Sequence, residues 1–162
     1  MKNTIHVLEG TNLEYFTDDD KLLGSLINQF FFKDEASHFI NSSWNVIELS
    51  NDYFIESLNF SLIKRLMELS NDDYLYLASA TSPKMAYYKL SIKQDINILR
   101  EFIDKNMLFT DIWYFMSPSE KWACISVYDY DTLFVGYNSE FEPKLKEINF
   151  NHTNFVKYLR KQ

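Results

Sequence analysis

The stretch SPSEKWACISVYDYDTLFVGYN, Ser117 to Asn138, decides the architecture. Within it Trp122, Cys124, Ser126 and Tyr128 alternate with Ala123, Ile125 and Val127. That is the period-two pattern of a strand whose two faces differ. The run TLFVGYN, 132–138, is a second strand of the same kind. Only Asp129, Tyr130 and Asp131 separate the two, and Asp is a common turn residue. A joint this short can connect only antiparallel neighbours. DIWYFMS, 111–117, is a third strand just upstream.

Working outward, the period stays at two back to Asp73. YLYLAS (74–79) and MAYYKLSI (85–92) are strand-like, and ATSPK joins them as a hairpin. WNVIEL (44–49) sets Val46 and Glu48 against Ile47 and Leu49, and TIHVL (4–8) is a short strand. Helical spacing appears elsewhere. In TDDDKLLGSLINQFFF (17–32), Leu22, Leu26 and Phe30 recur at four-residue steps, as do Leu23, Ile27 and Phe31. Thr17 and Asp20 resemble a capping box at its start. SLNFSLIKRLMEL (57–69) lines up Leu58, Leu62, Leu66 and Leu69, and SNDD ends that helix. Ser91 and Gln94 predict a capped helix running to Asn106, with Ile96, Leu99, Ile103 and Met107 on its face. DEASHFINSS (34–43) is expected to form a further short helix, and so are residues 139–149 and 153–160. Helices and hairpins are mixed irregularly, without a βαβ alternation. The expectation is one globular α+β domain over 1–162, an antiparallel sheet with helices packed mainly on one face.

Composition agrees with a single core. The chain has 162 residues, 46% hydrophobic and 17% aromatic, with three Gly and three Pro. No run approaches the roughly 18 apolar residues of a membrane span. The start, MKNTIHVLEGTNLEYF, lacks the apolar block of a secretory signal, so a cytoplasmic protein is expected. One cysteine, Cys124, excludes an internal disulfide, and its strand setting marks a small buried hydrophobe rather than a catalytic thiol. Charge is uneven. Residues 1–141 carry 21 Asp/Glu against 11 Lys/Arg, or −10, while 142–162 carry 2 against 5, or +3. An acidic body repels nucleic-acid phosphates and attracts basic proteins. In the tail, Lys157, Arg160 and Lys161 suit the last turns of a C-terminal helix, where cations complement the macrodipole.

Motifs for chemistry are few. There is no G-x-S-x-G elbow, no H-x-x-x-H, no C-x-x-C and no calcium loop, and three scattered glycines cannot cradle a phosphate. His6, His38 and His152 lie far apart. Glu142-Pro143-Lys144 matches the E-x-K half of a metal-dependent nuclease core, but Pro143 argues against a central strand and suits a helix start. No catalytic residue, metal or cofactor is expected. The aromatics are interleaved with carboxylates, as in DDYLY, YDYD and NSEFEP. Most such rings pack in the core. Those left outside combine area with a polar handle, the profile of interface hot spots, and flanking carboxylates pair with Arg or Lys of a cationic partner.

Over FMSPSEKWACISVYDYDTLFVGYNSEFEP, a Ser-Pro turn, a Trp-led strand, an acidic bend and a second strand bearing Gly136 resemble small bacterial immunity proteins. These belong to contact-dependent growth-inhibition and other polymorphic toxin systems. The likeness covers about thirty residues and rests on texture, not on an invariant motif. It implies a cytoplasmic protein that neutralises one cognate toxin domain, a basic nuclease, by stoichiometric binding without turnover. The candidate toxin-binding residues are Tyr128, Asp129, Tyr130, Asp131, Tyr137, Glu140 and Glu142. The competing expectations are an adaptor or regulatory binding module without a toxin partner, an enzyme whose site is assembled only in space, and a phosphate-mimicking inhibitor of a DNA-binding protein. The last needs a regular row of carboxylates, which the sequence lacks.

Overall fold

A computed structural model describes residues 6–7, 14–16, 31–34, 37–40, 43–50, 57–79, 87–93, 95, 97, 112–127, 132–148 and 156–160. The alternation around Cys124 becomes the middle of an antiparallel sheet. Its six central strands are β5 (Asn45–Ser50), β6 (Tyr74–Ser79), β7 (Tyr87–Ser91), β8 (Ile112–Met116), β9 (Trp122–Val127) and β10 (Thr132–Tyr137). They lie in the order β7-β6-β8-β9-β10-β5. β1 (His6–Val7) and β2 (Glu14–Phe16) extend the sheet beyond β7, and β11 (Val156–Arg160) extends it beyond β5. β3 (Phe31–Asp34) and β4 (Ser37–Ile40) form a separate hairpin, and β4 lies against β9. With helix α1 (Ser57–Ser70) and the short α2 (Glu142–Leu145), the chain is an α+β fold.

Register explains why each apolar residue ends where it does. Ile47, Val135, Cys124, Phe115, Leu77 and Tyr88 stand directly opposite one another across six strands. All six are buried. Because side chains alternate across a strand, the neighbours two residues away share this face. Leu49, Leu133, Trp113, Trp122, Tyr137, Leu75 and Leu90 join the same cluster. So do Ile63, Leu66, Met67 and Leu69 of α1, and Phe141 and Leu145 at α2. The opposite face is also shielded at its centre, where Val46, Tyr114, Met116, Ala123 and Ile125 are buried.

Topology requires α1 to cross this face. All pairings in the large sheet are antiparallel, so direction reverses at each step from β5 through β10, β9 and β8 to β6. After four reversals β5 and β6 run the same way. Parallel strands cannot be joined by a tight turn, and α1 supplies the crossover over the three strands between them.

Several expectations are corrected. Ser37–Ile40 is a strand, not part of a helix. The helix expected over 17–32 cannot include Phe31 and Phe32, which open β3, and its remaining positions lie outside the described residues. Val156–Arg160 is not helical. It pairs with β5, with a register shift between Tyr158 and Arg160. Lys157 and Arg160 therefore do not serve a helix C-terminus; Lys157 stands opposite Glu48. Ser91 closes β7 and accepts a hydrogen bond from Lys93 N–H at 3.3 Å, while Asn97 N–H donates to Asp95 Oδ1 at 2.9 Å. The helical cap bond thus falls on Asp95. The rest of that expected helix lies outside the described residues.

Candidate functional site

Five strands share one end beside α1. There β5 starts at Asn45, β6 starts at Tyr74, β8 ends at Met116, β9 starts at Trp122 and β10 ends at Tyr137. Helix α1 arrives at the same end and stops in a Schellman motif. Asn71 N–H donates to Glu68 O at 3.1 Å, and Asp72 N–H donates to Met67 O at 2.8 Å. Asn71 occupies the left-handed region at φ 60°, which Asn tolerates better than most residues. The SNDD run thus stops the helix through a specific backbone geometry. It also turns the next side chain, Asp72, inward.

The Asp72 carboxylate is 6% exposed and would be costly to bury unpaired. Hydroxyls compensate. Ser117 Oγ–H donates to Asp72 Oδ2 at 2.6 Å, and Ser119 Oγ lies 3.1 Å from the same oxygen. Ser117 and Ser119 also share a bond at 2.8 Å. The Ser70 hydroxyl is within reach of Asp72 Oδ2, of Leu66 O at 2.9 Å and of Met67 O at 3.1 Å. Its single proton goes best to the charged acceptor. Trp122 Nε1–H then donates to Ser70 Oγ at 3.0 Å. Indole, hydroxyl and carboxylate form one chain tying α1 to the β8–β9 turn. Such chains polarise and strengthen each member.

Two lysines complete the junction. Lys121 Nζ donates to Ser70 O at 3.0 Å, and Lys144 Nζ donates to Leu69 O at 2.9 Å. No basic residue lies in the last turn of α1. The cations that complement its dipole come instead from the β8–β9 turn and from α2. Asn45 Nδ2–H donates to Glu142 Oε2 at 3.4 Å, and Lys146 pairs with Glu142 at 3.3 Å. Exposed carboxylates and cations both lie on the outer surface, among them Lys146 and Arg65. Glu120 and Glu140 are exposed, whereas Lys121 and Lys144 are partly buried against the helix. Glu120 sits at φ 58° after a turn in which its N–H donates to Ser117 O at 3.0 Å. Asn138 clips that turn, donating through Nδ2 to Glu120 O at 3.3 Å. Its Oδ1 accepts Phe141 N–H at 3.0 Å.

Of the candidate residues, Tyr137, Glu140 and Glu142 fall among the described residues. Tyr128, Asp129, Tyr130 and Asp131 lie outside the described residues. In the β9–β10 pair, Val127 stands opposite Thr132 at one end and Trp122 opposite Tyr137 at the other. At about 3.4 Å per residue, Thr132 and Tyr137 are about 17 Å apart. Glu140 and Glu142 follow Tyr137, at the end where β9 starts. Tyr137 is 1% exposed and belongs to the core. Its register against Trp122 and Asn45 turns it to the helix-covered face, so it offers no ring to a partner.

The remaining chemical candidates resolve structurally. Glu142-Pro143-Lys144 forms α2, with Pro143 in its first turn and Lys144 held on Leu69 O. The E-x-K pair therefore does not share a strand face. Cys124 is buried, and desolvation pushes its thiol well above the usual range, away from the thiolate. Burial likewise raises the Tyr114 phenol. Among the described residues no group of three or more His, Cys, Asp or Glu could hold a metal ion, and no helix is long and apolar enough to cross a membrane. Among the described residues Trp113 Nε1 is a buried donor without a partner. The Asp72 network was missed because its members are 45 residues or more apart across the Ser117–Asp72 and Trp122–Ser70 bonds. The only local signal was SNDD after an apolar helix. Comparison with protein-family models, with curated proteins and with solved structures returned no match.

Proposed function

We propose that this chain is an immunity protein, a stoichiometric inhibitor that binds a basic toxin domain in the bacterial cytoplasm and blocks it without turnover. The observation that supports this most is the disposition of charge. The body is strongly acidic. Beside the end of α1, Lys121 and Lys144 fold inward onto helix carbonyls, Lys146 is exposed but paired with Glu142, and Glu120 and Glu140 are exposed. Such a surface accelerates encounter with a cationic partner, while desolvated ring and ion-pair contacts slow release. A basic nuclease, shaped to hold phosphates, has the complementary field.

The test begins with affinity capture of the tagged chain from its native bacterium. One basic domain should co-purify at one-to-one yield, and the purified pair should lose the toxin's activity at equimolar ratio. Several partners in low yield would instead mark an adaptor. With the toxin in hand, Asp129→Lys with Asp131→Lys should weaken binding at least tenfold, about 1.4 kcal/mol. Glu120→Lys with Glu140→Lys probes the exposed carboxylates near the end of α1. If both folded double variants keep full affinity, none of these four carboxylates contributes.

A further inference from the structure

We draw no further inference here: the strongest candidate, the half-buried patch of Tyr74, Tyr76 and Lys89 on strands β6 and β7, with Lys89 Nζ 4.3 Å from the Tyr74 ring centre, carries nothing because nothing in the structure shows what covers it.

Discussion

Asp72 takes hydroxyl donors from residues on both sides of the core; on its removal the Ser70 hydroxyl can fall back on Leu66 O or Met67 O, but the Ser117–Ser119 pair loses the acceptor it shares. An unsatisfied buried hydroxyl costs about 1–3 kcal/mol. Asp72→Ala should therefore lower unfolding free energy by about 3 kcal/mol in a urea titration. A double-mutant cycle with Ser117→Ala should show coupling of about 1 kcal/mol; strict additivity would mean that the two side chains act independently. The indoles provide a matched contrast. Trp122 N–H is bonded to Ser70 and Trp113 N–H has no partner among the described residues, yet both rings are buried. Trp122→Phe should cost about 1 kcal/mol more than Trp113→Phe. Glu120 invites the opposite change. An L-residue in the left-handed region costs about 1–2 kcal/mol that glycine avoids, so Glu120→Gly should stabilise by about 1 kcal/mol. A loss of stability would show that the Glu120 side chain contributes more than its backbone strain removes. None of these pairings was legible beforehand. A Ser or Asp carries no mark in the sequence of which distant hydroxyl it will meet.

At the scale of elements, local periodicity was enough wherever one face of a segment is buried. The runs 74–79, 111–117, 121–129 and 132–138 reappear as β6, β8, β9 and β10 within two residues, and 57–69 as α1. Segments lacking that contrast misled. SHFI and VKYLR have no clear period, and their strand state comes from partners: β3 for the first and β5 for the second. Tertiary pairing overrode local propensity there. The ending of α1 shows the same dependence on distant residues. Its terminal carbonyls receive Lys121 and Lys144 from outside the helix. Lys121→Met and Lys144→Met keep most of each apolar stem and remove the cation. Each should cost up to about 1 kcal/mol, less in high salt, as measured by urea unfolding at two ionic strengths. A loss that does not change with salt would assign the effect to packing.

At the scale of the whole molecule, the α+β class followed from mixing hairpins with helical spacing, whereas the strand order did not. β5 lies between β10 and β11, more than eighty residues further along the chain, and no short motif records that choice. The buried titratable groups set how the molecule responds to alkali. Burial raises the Cys124 thiol in the folded state. Its contribution to stability is complete below the unfolded thiol value, about pH 8.5, and is lost progressively above it towards the raised folded value. Stability should fall above about pH 8.5, and Cys124→Ala should flatten that fall. An aromatic disulfide reagent should leave native Cys124 unmodified and label it in urea; rapid native labelling would show that the sheet centre opens. The position of β5 has another consequence, in the order of synthesis. A ribosome adding about 5–20 residues per second needs several seconds to travel from β5 to β10. Throughout that interval the newly made Asn45–Ser50 segment has not met the β10 and β11 strands that flank it in the finished sheet. An apolar strand left waiting is a template for misplaced pairing. The nascent chain should therefore depend on chaperones until Tyr137 has cleared the exit tunnel, and chains stalled before Thr132 should aggregate where chains stalled on a long C-terminal linker added after Gln162 fold.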